Sequence, residues 1–361
     1  MEFAERIRRI PVYPAAAGYA LPGDLALLAS NESPYPPLPE VVEAATRVLS
    51  GTNRYPDPTN AVLRRALSDR TGVPPARIAI GNGSCDVLLA AGEALLEPGA
   101  EVVYAWPSFS VYPHLAATTG ARAIQVPVDN DHRHDLDAMR QEITAATRMV
   151  IVCNPNNPTS TALPLEEIAA FVAEVPRHVV VVLDEAYIEF NLLQDPDDSI
   201  ELLDRFRNLV VLRTFSKVHG LAGLRVGYGL CGAEEFKTAV DQVRQPFFCN
   251  VAAQAAATEA LAHSDEVVRR VERNLAERTT LEDGLRAIGI TPADSQANFV
   301  WFDLPEGPEE AAIARGLGER GVLVRAGSAL GRPGALRVTI GLEDENERLL
   351  AELGALMGAR T

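Results

Sequence analysis

The sequence predicts an α/β fold: a large domain built on a mainly parallel sheet between helices, followed by a smaller α+β C-terminal domain. Two observations carry this. From about residue 40, stretches with helical spacing alternate with short β-rich apolar runs, the pattern of βα units. After Ile288 the texture changes to two short β-rich runs flanking one helical stretch. At about 150 residues per domain, 361 residues suit two such units.

In chain order, the first 28 residues are rich in Pro, Ala and Gly and read as an extended N-terminal arm. Glu40–Leu49, Ala61–Arg70, Val87–Leu95 and Pro164–Ala173 have helical spacing. Arg77–Ile80, Glu101–Ala105, Met149–Cys153, Val179–Leu183 and Leu209–Leu212 read as strands. Residues 251–287, Ala-rich and charged with a 3.6-residue period, read as long helices. Asn298–Asp303 and Ala335–Ile340 are the later strands, with a helix near 309–320 between them. The boundaries follow: arm 1–28, large domain 29–260, small domain 261–361.

Composition narrows the function. The balance of 47% hydrophobic and 23% charged residues is that of a globular protein. A net charge of −16 argues against nucleic acid or an anionic membrane as the main partner. No apolar run approaches the roughly 20 residues of a membrane span, and the charged start Met-Glu-Phe-Ala-Glu-Arg lacks a signal-peptide core. Cys85, Cys153, Cys231 and Cys249 are scattered, unlike a disulfide framework or zinc cluster. A cytoplasmic protein without a metal is the expectation.

Three consecutive strands end in polar residues. Met149–Cys153 runs into Asn154-Pro-Asn-Asn157, Val179–Leu183 into Asp184-Glu-Ala-Tyr187, and Leu209–Leu212 into Arg213-Thr-Phe-Ser-Lys217. In an open parallel sheet, ligands bind beyond the carboxyl ends of the strands, so these groups would share one crevice. A strand followed by Asp-Glu also resembles the Walker B strand of a nucleotidase, but neither lysine follows a glycine, so the required phosphate loop is missing.

Of 33 basic residues only Lys217 and Lys237 are lysines. A surface lysine in such a chain could equally be arginine. A lysine that forms a Schiff base could not, because arginine has no accessible neutral nitrogen. Lys237 lies on a polar helix and reads as solvated. Gly81-Asn-Gly83-Ser84 follows a strand and opens a helix, a place where exposed N–H groups bind phosphate. Phosphate cradle, amine, carboxylate, the Asn157–Tyr187 pair and the aromatic Phe109 together suit pyridoxal phosphate, whose ring nitrogen needs a carboxylate to stay protonated.

Over nearly its whole length the chain resembles the fold type I pyridoxal-phosphate aminotransferases (class I/II), and among them most closely the histidinol-phosphate aminotransferase family. The markers are Ala29-Ser-Asn-Glu-Ser-Pro-Tyr35, Asn53-Arg-Tyr-Pro56, Asn154-Pro-Asn-Asn-Pro-Thr159, Asp184-Glu-Ala-Tyr-Ile-Glu-Phe190, Thr214-Phe-Ser-Lys217 with Gly220-Leu-Ala-Gly-Leu-Arg225, Ala297-Asn-Phe-Val300 and Leu336-Arg-Val-Thr-Ile-Gly341. The resemblance implies a seven-stranded-type sheet in the large domain. It implies Lys217 as the Schiff-base lysine and proton carrier, Asp184 on the pyridine nitrogen, Asn157 and Tyr187 on the ring oxygen, and Phe109 stacked on the ring. Gly83, Ser84, the backbone at Cys85, Thr214, Ser216 and Arg225 would hold the phosphate. Tyr55 would reach the cofactor phosphate of a neighbouring subunit, implying a homodimer with shared sites. Arg337, with Arg325 as a second candidate, would anchor the substrate's anionic end, in a pocket shaped near Tyr19 and Asn31.

The activity so implied is exchange of an amino group between L-histidinol phosphate and 2-oxoglutarate, in histidine biosynthesis. Aromatic amino-acid aminotransferases and decarboxylases of phosphorylated amino acids use similar scaffolds and are the alternatives. A cofactor-sensing regulator would need an added basic domain, for which the arm is too short. Three positions depart from the family: Cys85 after the phosphate turn, Ser160 in place of glycine, and Val218-His219 after the lysine. Cys85 reads as a buried bystander or, at a helix start, as a thiol of lowered pKa. His219 either tunes the site or packs. His132-Arg-His134-Asp135 reads as a solvated turn rather than a metal site.

Overall fold

The computed structural model describes residues 1–3, 7, 8, 10, 23–305 and 309–358. Twelve strands run in chain order as β1 Ala26–Leu27, β2 Ile78–Gly81, β3 Glu101–Trp106, β4 Arg122–Pro127, β5 Thr147–Cys153, β6 Val180–Asp184, β7 Leu209–Thr214, β8 Gly227–Cys231, β9 Phe299–Asp303, β10 Val322–Leu323, β11 Arg325–Ala326 and β12 Ala335–Thr339. Seven of them form the central sheet in the order β2-β8-β7-β6-β5-β3-β4. All pairings from β7 through to β4 are parallel, and β8 lies antiparallel between β7 and β2.

The sheet is mixed but mostly parallel. Its middle strands are covered on both faces, which is why they read as continuous apolar runs. Val150, Ile151 and Val152 on β5, and Val181, Val182 and Leu183 on β6, have no measurable exposure. Alternate side chains then build two cores: Val150, Val181 and Val211 on one side, and Ile151, Val182 and Leu212 on the other.

Two sheet strands escape the sequence pattern. β4 is an edge strand with mostly exposed side chains. β8 contains Gly227 and Gly229, which weaken its β signature. Gly227 has a specific cause: a Cβ there would lie 2.3 Å from the main-chain nitrogen of Ser84. Only glycine lets β8 approach the start of the helix Ser84–Leu95 so closely.

The Ala-rich stretch is two helices, Val251–Ala260 and Ser264–Ala287. The first begins where the Asn250 side chain accepts from the Ala253 N–H at 2.7 Å. Beyond them, β9, β12 and β11 form an antiparallel sheet packed on helices Glu310–Glu319 and Glu343–Gly358. The last of these helices is absent from the sequence reading. Ala26 and Leu28, within the stretch read as the arm, pack in this small-domain core, and β1 pairs with β10. The N-terminal segment therefore leaves the small-domain core directly toward the carboxyl edge of the large sheet. Among the described residues no helix is long and apolar enough to cross a membrane.

Candidate active site

Because β5, β6 and β7 are parallel neighbours, their carboxyl ends deliver Cys153, Asp184 and Thr214 to one edge. A cavity of about 370 Å³ opens there. Lys217, Asp184, Tyr187, Asn157, Gly83, Ser84, Cys85, Phe109, Thr214, Ser216 and Arg225 all line it. Residues scattered over 142 positions of sequence thus meet as the motifs predict.

Asp184 closes the far wall. The Tyr112 hydroxyl donates to its Oδ2 at 2.8 Å, while Oδ1 is buried without a partner. Burial raises this carboxyl to about 6, opposed by the Tyr112 hydroxyl and the Ala186 N–H. An orphaned carboxylate oxygen at a cavity wall calls for a donor, such as a protonated ring nitrogen. Tyr112 went unnoticed in the sequence, where nothing local distinguishes it from any other tyrosine on a helix.

Lys217 sits opposite, its Nζ donating to the carbonyls of Asn31 at 2.9 Å and Ser30 at 3.3 Å. The amine also lies 5.3 Å from the centre of the Tyr187 ring. Burial, reinforced by Arg337, lowers the amine to about 7, and the nearby Glu32 opposes the shift. The two carbonyls favour the ammonium form, so they too work against desolvation. The balance leaves an amine that can be neutral near pH 7.

The phosphate cradle is made by the turn into helix Ser84–Leu95. Gly83 has φ +84°, and a Cβ on it would lie 2.7 Å from Arg225 Nη2. Arg225 itself adopts φ +59° and donates to the Ala222 carbonyl at 2.8 Å, presenting its guanidinium beside the helix start. The Thr214 and Ser216 hydroxyls, 3.0 Å apart, add further donors. Helix N–H groups, hydroxyls and a guanidinium around one glycine turn suit a phosphate monoester.

A third group couples the two domains. Arg337 on β12 donates to Asn157 Oδ1 at 2.6 Å and to the Ala29 carbonyl at 2.5 Å. Asn31, with φ +53°, donates from its amide to the Tyr187 hydroxyl at 3.1 Å and is itself held by Thr339. Arg325 faces Arg337 across the β11–β12 ladder and is half-buried, but it does not line the cavity. Tyr55 is 80% exposed and stacks on Phe247 at 4.4 Å, outside this cavity. Tyr19 lies outside the described residues.

The departures resolve differently. Burial and the charge of Asp184 push the Cys85 thiol up to about 11, the opposite of the lowered value a helix start suggests. Ser160 takes the left-handed backbone that favours glycine, at φ +62°, and its hydroxyl donates to the Thr159 carbonyl at 2.6 Å. His219 lies tilted against Phe215, with ring centres 5.0 Å apart, and does not line the site, so it packs. His134 is not in a solvated turn. It is buried beside Asn156 and driven down to about 4 by desolvation. His132 lies 3.9 Å from Asp303. No group of three potential metal-ligating side chains occurs among the described residues.

A family profile for aminotransferase class I and II matches residues 24–353. The aromatic amino acid aminotransferase of Streptomyces coelicolor is 44% identical, over 94% of this chain and 93% of its own. Other proteins of that name are 42–46% identical. Histidinol-phosphate aminotransferase 2 of Ralstonia nicotianae is also 44% identical, covering 90% of this chain and 87% of its own. The crystal structure of histidinol-phosphate aminotransferase from Sinorhizobium meliloti, in complex with pyridoxal-5′-phosphate, superposes with a TM-score of 0.86 at 29% identity, covering 100% of this chain and 98% of that one.

Proposed function

Because this chain belongs to the class I and II aminotransferase family, a group of pyridoxal-phosphate enzymes, we propose that it transfers the amino group of an aromatic amino acid to 2-oxoglutarate. The observation that carries this choice of donor is the recurrence of the aromatic name among relatives covering nearly the whole chain. L-Histidinol phosphate is the second reading, supported by the Ralstonia relative and the Sinorhizobium structure. It is the donor the motifs alone suggest. The two compete for one pocket, since each presents an anion beside its amine and a planar ring beyond.

The cavity fits the cofactor through the unpartnered oxygen of Asp184 and the glycine turn that a Cβ would fill. When bound, pyridoxal phosphate supplies an aldehyde that captures amines and a ring that withdraws electrons from the substrate's Cα. Asp184 would face the ring nitrogen, Asn157 and Tyr187 the ring oxygen, and Phe109 the ring face. Gly83, Ser84, the Cys85 N–H, Thr214, Ser216 and Arg225 would hold the phosphate.

Lys217 then has two tasks that arginine could not perform. Its neutral amine would hold the cofactor through the aldehyde, with loss of water, and would accept a proton from the substrate Cα. Burial prepares it by lowering the amine to about 7, so that its neutral form is populated near neutral pH. Arg337 takes the substrate's anionic group, and Arg325 stands behind it on the neighbouring strand. Because Arg337 already bonds Asn157 and the Ala29 carbonyl, an anion arriving there would reach the cofactor's partner and the N-terminal segment together. Asn31 and Tyr19 would shape the pocket. Tyr55 would serve the cofactor phosphate of a second copy, making the working unit a homodimer.

The test is a visible-absorbance titration of the cofactor-loaded protein without keto acid, run separately with phenylalanine and with histidinol phosphate. Bleaching at far lower phenylalanine concentration is the expected result. Preference for histidinol phosphate would move the enzyme to histidine biosynthesis, and release of carbon dioxide would make it a decarboxylase.

A further inference from the structure

The opposite face of the central sheet carries a second cavity, of about 430 Å³. Successive residues of a strand face opposite sides, so Thr214 lines the cofactor cavity while Arg213 lines this one. The second cavity lies between β7, β8, the loop after Tyr187, and the junction of helices Val251–Ala260 and Ser264–Ala287. Its volume falls in the range of about 300–1,000 Å³ typical of small-molecule sites.

One wall is apolar, formed by Leu192, Leu261, Val267, Val268 and Val271. The other holds polar groups whose partners do not balance. Arg213 is already spent: its Nε donates to Glu185 at 3.0 Å, its Nη1 to Asp197 at 3.1 Å, and its Nη2 to Ser199 and the Pro196 carbonyl. Arg70 is engaged by Asp197 at 2.7 Å. That leaves the Glu189 carboxyl, which burial pushes up to about 7 against the opposing charge of Arg213. Asn191, only 4% exposed, has a side-chain nitrogen with no acceptor. Asp195 and Glu272 add negative charge at the lining, where both arginines are already paired. The charge left over is negative, beside an apolar wall.

We propose that this cavity is a second ligand site, which binds a small organic cation with its ammonium at Glu189 and its apolar body against Leu192, Val267 and Val271. The Asn191 amide supplies a donor for a polar substituent on the same ligand. The site shares its chain with the active centre, because Glu189 follows Tyr187 by two residues and β7 contributes to both cavities. Nothing in the site depends on which amino donor the enzyme uses.

The holoenzyme is titrated by calorimetry with N,N-dimethylbenzylamine, a tertiary amine that cannot condense with the cofactor aldehyde. Saturable binding at one per chain is expected, with affinity at least about tenfold lower in Glu189→Gln. Benzyl alcohol, a neutral molecule of similar shape, is expected to bind wild-type protein at least about tenfold more weakly, a comparison that needs no variant. Absence of saturable binding would overturn the proposal. So would equal affinity for benzyl alcohol, or unchanged amine binding in a Glu189→Gln protein whose melting temperature matches wild type.

Discussion

The hydroxyl of Tyr112 donates to Asp184 Oδ2 at 2.8 Å, so one oxygen of a fully buried carboxyl is satisfied within the protein and the other is left to the cavity. This contact lowers a carboxyl that burial has raised to about 6. In Tyr112→Phe the carboxyl rises further and holds a cationic ring less well. A hydrogen bond to a charged group contributes about 1.5–3 kcal/mol, so affinity for pyridoxal phosphate falls by about tenfold or more. Titration of the cofactor-free protein measures this, and unchanged affinity would place the ring's support elsewhere. Asp184→Asn removes the charge itself and costs several powers of ten in kcat.

The amine of Lys217 confers a pH signature on the cofactor-free protein. Unfolded, a lysine holds its proton up to about 10.5, whereas the folded site holds it only to about 7. Between those values the unfolded state binds more protons, so this group makes stability rise with pH through the window. Below pH 7 both states are protonated and the contribution is constant. Lys217→Met removes the increment: urea unfolding at pH 7 and pH 9 is expected to show a larger gain for wild type than for the variant. Equal gains would place the titrating amine elsewhere. The same variant is expected to lack turnover.

Glu185 and Arg213 form a buried pair at 3.0 Å, with side chains 0% and 5% exposed. Removing one partner of such a pair leaves a desolvated charge, at a cost of about 3–5 kcal/mol. Asp197 remains on Arg213 and moderates the loss, so Glu185→Gln is expected near the lower end of that range. Denaturant unfolding of the cofactor-free protein reads it directly. A change under about 0.5 kcal/mol, the scale of an ordinary surface substitution, would mean that Asp197 and Ser199 suffice.

Tyr55 is displayed on the surface against Phe247 rather than turned into its own chain's cavity. If it serves a second copy, Tyr55→Phe loosens the cofactor while leaving this chain's cavity intact. Faster cofactor loss on dialysis is the expected outcome, with melting of the cofactor-free protein unchanged. Retention equal to wild type would detach Tyr55 from the phosphate.

Much of this architecture is legible in the sequence for a local reason. β5, β6 and β7 are buried on both faces, so each is an unbroken apolar run, and the polar residue at each end marks the ligand edge. β4 and β8 are hidden because an edge strand and a glycine-bearing strand lack that run. His134 misleads because its polar neighbours suggest a solvated turn, whereas the chain folds its ring beside Asn156.

From the order of its motifs alone, the chain determined the α/β class, the cofactor type and the residues that meet around Lys217, since each motif is a strand end or turn whose local chemistry needs those residue types. Only the tertiary structure decided how they are held. Tyr112 and Asp184 lie 72 positions apart, Asn31 and Tyr187 156, and Arg337 and Asn157 180. Hydrogen bonds over such spans depend on how domains pack, and no local pattern encodes them. Glu189 behind the sheet belongs to the same class, because its setting follows from where Arg213 and its acceptors come to lie.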